Sequence, residues 1–424
     1  MQNTDDKIIQ KAILVGVGTS KNIYDIDKSM DELKELANAA GAEVLYSIVQ
    51  NKEKIEATYY IGKGKVEEVK MFADNLEANT VIFNNELSGS QIRNLEDALD
   101  LKVIDRTALI LDIFATRAKT RDAKLQVELA QLRYRLPRLV GINSSMSRLG
   151  AGIGTRGPGE QKLELDRRKI KEKITDIKNE LKEIKKQRET QRSKRVKNRI
   201  PIVALVGYTN AGKSTIMNRV LQKYMGDNED KQVFEKDMLF ATLDTYHRKV
   251  ELPDNKSFIL IDTIGFVSEL PHSLVEAFKA TLEEIREADY LIHVVDSSDA
   301  HLDMQVKVTR DVLDEFGIKD IPYTVCYNKI DLVEDEDFLN RSTGLYISAL
   351  EESDIEKLVE DIRGNIFNDY IKCKFLIPYD QGQIVNNLMK NFTILNTEHT
   401  GEGTLIEVEV DEENYNRYNK YIVE

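Results

Sequence analysis

Hydrophobic positions along this chain follow three successive patterns. Up to about Arg117, short apolar runs alternate with amphipathic stretches. Residues 12–17 read as a strand, 29–40 as a helix, 43–49 as a strand, 66–76 as a helix, 80–83 as a strand, 90–99 as a helix and 102–104 as a strand. Such alternation predicts a mostly parallel sheet covered by helices. Inside it, Ile61-Gly62-Lys63-Gly64-Lys65 could form a small anion-binding turn or an ordinary solvated glycine turn. Nothing else in that segment carries chemistry, which favours the ordinary turn.

The period then lengthens. Leu125, Leu129, Leu132 and Leu136 lie at helical spacing, and Leu163, Ile170, Ile174, Ile177, Leu181 and Ile184 follow a heptad-like repeat with lysines and glutamates between them. Two such stripes joined by a connector predict an antiparallel helical hairpin in which each helix buries its stripe on the other. The connector, from Pro137 to Glu160, has no periodicity and is rich in glycine. It exceeds the ~12–15 residues beyond which structureless loops are usually functional or disordered. Arg138, Arg148 and Arg156 are the guanidinium groups in it suited to phosphate and base contacts. The basic run from Lys185 to Arg199 reads equally as a solvated helix face or as a direct RNA contact.

In the third pattern, buried-type strands run into polar motifs. Ile202 to Val206 is an apolar strand, and residues 216–221 open a helix. Between them stands Gly207-Tyr208-Thr209-Asn210-Ala211-Gly212-Lys213-Ser214-Thr215, which fits G-x-x-x-x-G-K-[ST]. Glycines let the backbone wrap phosphate oxygens, so that consecutive N–H groups and the helix N-terminus face the anion. Lys213 would reach the outer phosphates, and the Ser214 hydroxyl would hold Mg²⁺. Phe258 to Ile261 leads into Asp262-Thr263-Ile264-Gly265, where a carboxylate meets the metal's water shell and a glycine N–H meets the γ-phosphate. Tyr323 to Tyr327 leads into Asn328-Lys329-Ile330-Asp331, and Leu345 to Ile347 into Ser348-Ala349-Leu350. Each motif lies just past the carboxyl end of a strand, where open α/β sheets bind ligands. Asp331 selects the base: an ionised carboxylate only accepts hydrogen bonds, and guanine offers it two donors together. Adenine would leave that charge unpaired. Four motifs in this order imply a domain that binds GTP and GDP.

The segment answering to the γ-phosphate should be Phe240-Ala241-Thr242-Leu243-Asp244, with Thr242 as a second hydroxyl on Mg²⁺ and Thr245 as its rival. Lys213, Ser214, Thr242 and Gly265 are thus the residues expected to carry catalysis. Phe266 follows Gly265 where many GTPases have a glutamine that orients the attacking water. Intrinsic hydrolysis should therefore be slow unless another group, an ion or a partner completes the site. Asn210 places a side-chain carbonyl in the phosphate loop, as in cation-assisted GTPases; it implies either activation by K⁺ or a brace for the loop.

The chain's 424 residues call for several domains. We expect an α/β domain over residues 1–117, the hairpin over 118–199, a P-loop GTPase domain over 200–368 and a small α+β domain over 369–424. In the last, 374–377, 392–395 and 404–410 read as strands, and 381–389 and 414–423 as helices. A composition of 41% hydrophobic and 31% charged residues is that of a soluble globular protein. With no leader at Met1 and no long apolar run, a cytoplasmic location without membrane insertion is expected. Cys326 and Cys373 fit a reduced compartment. The net charge of −13 argues against nucleic acid as a general partner, but basic residues crowd between Arg117 and Arg199, leaving room for a local RNA-binding element.

Several segments together resemble the HflX family of ribosome-associated GTPases. They are Tyr60-Ile61-Gly62-Lys63-Gly64-Lys65-Val66-Glu67-Glu68, Asp105-Arg106-Thr107 with Ile113-Phe114-Ala115, and Lys124 to Leu132. Gly152-Ile153-Gly154-Thr155-Arg156-Gly157-Pro158-Gly159-Glu160 and Asp262-Thr263-Ile264-Gly265-Phe266 with Leu270-Pro271-His272 complete the set. Thr245-Tyr246-His247-Arg248 departs from the family's usual P-T-T-R. The resemblance implies a factor that binds the large ribosomal subunit and its rRNA in the GTP form, and a monomer is expected. It also implies hydrolysis stimulated there, and a role in splitting or rescuing stalled ribosomes, with the hairpin reaching rRNA. A ribosome-assembly GTPase and a nucleotide-gated RNA-binding scaffold remain the alternatives.

Overall fold

The computed structural model describes residues 10–19, 26–139, 158–197, 200–226, 240, 246–268, 282, 284–333 and 343–423, with only the backbone over 158–163 and 188–197. The chain divides into two compact units. One comprises Met1–Arg192 with Lys236–Asp244 and Val267–Ala280; the other comprises Ser193–Glu235, Thr245–Phe266 and Thr281–Glu424.

In the first unit, β1 (Gln10–Gly18), β2 (Ala42–Asn51), β3 (Thr80–Phe83) and β4 (Lys102–Asp105) form an all-parallel sheet in the order β2-β1-β3-β4. The helices Ile26–Ala39, Lys63–Leu76 and Gly89–Leu99 connect them. Ile13, Val15, Val81 and Phe83 are fully buried and pack with Val69 and Leu95 from the helices. The Gly62 N–H is taken by Gln50 Oε1 at 3.0 Å, so the turn before Lys63 is an internally bonded connection. Arg106–Arg117 is a further helix, capped by Asp105, whose carboxylate accepts from Ala108 N.

The hairpin helices are Arg121–Arg138 and Pro158–Lys197. Leu125, Leu129 and Leu132 pack with Ile170, Ile174, Ile177 and Leu181. The ion pairs Arg121–Glu180 and Glu128–Lys173 run in opposite numerical senses, as antiparallel helices require. Arg138 corrects the reading of the connector. It is the last residue of its helix, and its guanidinium stacks on Tyr134, pairs with Asp105 at 3.2 Å and Glu86 at 2.9 Å, and donates to Leu87 O at 2.8 Å. A fork with that many internal acceptors is a structural tie, unavailable to RNA. Arg148 and Arg156 lie outside the described residues.

The second unit is built on a six-stranded sheet of order β10-β9-β8-β5-β7-β6. Its strands are β5 (Ile202–Gly207), β6 (Tyr246–Glu251), β7 (Ser257–Asp262), β8 (Tyr290–Asp296), β9 (Tyr323–Asn328) and β10 (Leu345–Tyr346), with only β6 antiparallel to its neighbour. Val203, Leu205, Ile292, Val294 and Cys326 meet Ile216, Met217 and Val220 of the helix Lys213–Met225 and Leu358 and Ile362 of Glu352–Ile366. Parallel strands buried on both faces explain the unbroken apolar runs in the sequence.

The carboxy-terminal segment forms β11 (Ile371–Ile377), β12 (Thr393–His399) and β13 (Thr404–Val410), an antiparallel sheet of order β11-β13-β12 with the helix Gly382–Asn391 against it. It grips the β6–β7 turn: Lys256 pairs with Glu409 at 2.6 Å, both largely buried, and Thr393 Oγ1 donates to Asp254 O at 2.5 Å. The expected helix over 414–423 is shorter, Glu412–Arg417, followed by a single tight turn at Asn419–Tyr421. No helix among the described residues is long and apolar enough to cross a membrane.

Candidate nucleotide-binding site

The end of β5 leaves no space for a side chain. Gly207 has φ +148°, and a Cβ there would lie 2.1 Å from Val294 O. Gly212, at φ +94°, would put a Cβ 2.2 Å from Asn328 Nδ2. Only glycine combines these dihedrals with such close approach. Between them Asn210 sits at φ +61° with its side chain exposed, and Ala211 is buried. The helix begins at Lys213 with no side-chain cap hydrogen bond from Gly212, and a helix N-terminus of this kind favours an anion.

Lys213 is 6% exposed, and its Nζ donates to Gly207 O at 3.1 Å and Tyr208 O at 2.6 Å. Burial pulls its ammonium down to about 8, opposed by the Asp262 carboxylate. Ser214 Oγ donates to Asp262 Oδ2 at 2.7 Å. A hydroxyl and a carboxylate meeting at the mouth of the loop are hard oxygen donors of the kind Mg²⁺ takes. Thr263 Oγ1 donates to Leu205 O at 2.6 Å, and Ile264 is buried. Gly265 is pressed against the phosphate loop: a Cβ there would lie 2.7 Å from Thr209 Cα. Thr209 N donates to Phe266 O at 2.7 Å and Phe266 N to Gly207 O at 3.1 Å, zipping the two loops together. The Phe266 ring is buried and has no polar atom, so it has no donor or acceptor with which to hold a water.

Asn328 is a buried strut. Its Nδ2 donates to Ala211 O at 2.9 Å, and its Oδ1 accepts from Ala349 N at 3.0 Å, tying the phosphate loop to Ser348-Ala349-Leu350. Ser348 N donates to Asp354 Oδ2 at 2.8 Å, while Leu350 is exposed. Lys329 takes φ +62° and pairs with Asp296 Oδ2 at 2.7 Å. Asp331 stands exposed in the short turn Ile330–Leu332. Sequence reasoning passed over Asp296 and Asp354. Asp296 carried a signal, for it closes the apolar run of β8 as Asp262 closes β7.

Phe240 is 2% exposed and meets Phe114 edge-on at 4.6 Å within the first unit, so its ring is spent on packing. Ala241, Thr242, Leu243 and Asp244 lie outside the described residues, as does the rival Thr245.

Three family profiles match in succession: "GTP-binding GTPase N-terminal" over residues 27–115, "GTP-binding GTPase Middle Region" over 117–195 and "50S ribosome-binding GTPase" over 202–329. The chain is 46% identical to the GTPase HflX of Caldanaerobacter subterraneus over 98% of this chain and 94% of that one. It is 43% identical to that of Lacrimispora saccharolytica, over 96% and 95% of the two chains. The GTPase HflX of Escherichia coli is 39% identical over 88% and 87%. Identity of this extent, running through the hairpin as well as the phosphate loop, makes the chain a member of the HflX family of GTPases, which hydrolyse GTP to GDP and phosphate.

Proposed function

We propose that this GTPase acts as a cytoplasmic monomer that docks on the large ribosomal subunit in its GTP form and splits or rescues stalled ribosomes, with hydrolysis stimulated on the subunit. The observation that carries this reading is the match of residues 202–329 to a 50S ribosome-binding GTPase family in a chain whose longer hairpin helix is largely exposed over 164–187 and whose sequence is basic from Lys185 to Arg199. Arg148 and Arg156, in the connector, are the residues we assign to rRNA phosphates.

In the pocket, Lys213 engages the outer phosphates, the Gly265 N–H the γ-phosphate, and the Asp331 carboxylate the two donors of guanine. Ser214 and Thr242 would hold Mg²⁺, with Asp262 facing its water shell. Bound there, the metal supplies charge neutralisation for the β- and γ-phosphates. The Asn210 carbonyl is a candidate ligand for K⁺, and equal turnover in KCl and NaCl at matched ionic strength would remove that role. Asp331→Asn should weaken guanine binding by about 2–5 kcal/mol and favour xanthine, which offers an acceptor where guanine has its amino group. Equal affinity of the native protein for ATP and GTP would refute the base assignment.

Sedimentation of intact ribosomes with the protein and GTP, a non-hydrolysable analogue or GDP tests the ribosomal role. GTP should shift ribosomes toward free subunits, and GDP should not. An unchanged subunit distribution with association to immature particles would instead identify an assembly factor. Equal performance with the analogue through repeated rounds would identify a scaffold.

A further inference from the structure

The hydroxyls around the phosphate loop are not alike. Ser214 Oγ is committed to Asp262 and Thr263 Oγ1 to Leu205 O. Thr209 is 6% exposed, yet its Oγ1 has no hydrogen-bond partner among the described residues. Buried polar groups are nearly always paired, and an exception inside a site is a place for a ligand atom or a water. The rest of Thr209 is firmly located. Its N–H donates to Phe266 O, and a Cβ on Gly265 would lie 2.7 Å from its Cγ2. The orphan hydroxyl therefore branches from a residue packed against Gly265 and bonded through its main chain to Phe266. Phe266 occupies the position from which a glutamine side chain commonly holds the attacking water.

We propose that the Thr209 hydroxyl is a catalytic group, holding the attacking water against the γ-phosphate where Phe266 cannot. It accepts a hydrogen bond from the water and donates its own proton's hydrogen bond to a γ-phosphate oxygen. The water oxygen forms the new bond to the γ-phosphorus as the bond from that phosphorus to the β,γ-bridging oxygen breaks. The electron pair of the broken bond leaves with GDP. One water proton ends on inorganic phosphate and the other is released to solvent, while Thr209 begins and ends neutral. A hydroxyl can do this because it is donor and acceptor at once, as an amide side chain is. The assignment rests on the phosphate-loop reading and is independent of the ribosomal one.

Thr209→Val keeps the shape and removes the hydroxyl; Thr209→Ser keeps the hydroxyl and removes the methyl. The measurements are single-turnover GTP hydrolysis, with and without large ribosomal subunits, and the affinity of the full chain for labelled GDP. Thr209→Val should lower hydrolysis about 10²-fold in both conditions, the scale of losing one well-placed transition-state hydrogen bond. Its GDP affinity should stay within about threefold of native, and Thr209→Ser should hydrolyse within about threefold. Native-like hydrolysis by Thr209→Val overturns the proposal. So does loss of GDP affinity in step with rate, which would make Thr209 a brace for the loop and leave the phosphate-loop assignment standing. Equal slowing by serine and valine also overturns it, by placing the effect in the methyl's packing.

Discussion

The two parallel sheets of this protein share an architecture and use it in opposite ways. In each, strand order reverses around the first strand of the sheet, β1 in one and β5 in the other, and polar residues gather at the carboxyl ends of the strands. Around β3 and β4 most of those groups bond to one another, although Arg106 Nε, Arg138 Nε and Thr107 Oγ1 have no partner among the described residues. Asn84 Nδ2 donates to Ser29 Oγ at 2.7 Å, Arg106 Nη1 to Asn84 Oδ1 at 2.8 Å, and Arg106 pairs with Glu32 at 2.5 Å. Asp105 accepts from Leu87 N, Ala108 N and Tyr134 and pairs with Arg138; its burial still lifts its carboxyl above the usual range. Around β5 less is closed: a helix start with no side-chain cap hydrogen bond, a lysine resting on loop carbonyls, and a threonine hydroxyl with no partner among the described residues. An α/β crevice is only an opportunity for a ligand. The more of its charged groups are paired internally, the fewer are left to meet a ligand.

The contrast is most directly broken at the two cations. Lys213→Ala should reduce single-turnover GTP hydrolysis on the order of 10³-fold. It should leave the thermal stability of the nucleotide-free protein unharmed, because Lys213 is a buried charge whose best partners come with the ligand. Full hydrolysis by that variant would end the phosphate-loop assignment. Arg106→Met should do the reverse, costing about 3 kcal/mol of stability by taking the Arg106 charge away from the buried Glu32 carboxylate, to which Ser268 N and Oγ still donate, while Arg106→Met combined with Glu32→Leu should cost less. Denaturant unfolding measures both; a single replacement that is neutral would show the closed network to be dispensable.

A smaller effect sharpens the comparison inside the second sheet. His293 on β8 is 2% exposed and its Nε2 has no partner among the described residues. Burial, aided by Arg310 and Lys213, lowers its pKa to about 4. With a folded value below the ordinary one near 6.5, the unfolded chain binds more protons between those values. Stability is then complete above about pH 6.5 and falls as pH drops toward 4, by at most about 1.4 kcal/mol per pH unit from this group. Thermal melts from pH 4 to 7 should show a shallower slope in His293→Leu than in the native chain. Identical slopes would mean that His293 is not held neutral.

Much of this was legible beforehand. Apolar runs located the four strands of the first sheet and β5, β7, β9 and β10 of the second to within a few residues, since a strand buried on both faces can be written in few other ways; β6 and β8 were not foreseen. The phosphate loop, Asp262-Thr263-Ile264-Gly265 and Asn328-Lys329-Ile330-Asp331 were visible because their chemistry demands fixed residue types at fixed spacing. The helix Arg106–Arg117 was not foreseen: Leu109, Ile110, Leu111, Ile113 and Phe114 are all buried, so no amphipathic period marks it. Arg138 was read as a free fork because ion-pair partners such as Glu86 and Asp105 lie far away in sequence.

Local constraints, then, were set by the sequence alone: which segments are strands or helices, where glycine must stand, and which residues can meet a phosphate or a guanine. Each depends on a backbone dihedral, a periodicity or a side chain's own donors and acceptors. Only the tertiary structure decided which polar groups are already spent. Arg106, Arg138 and Asn84 bond to partners brought from distant segments, while the Thr209 hydroxyl has none among the described residues. Pairing depends on which atoms the packed chain brings within about 3 Å, and residue type by itself does not encode that distance.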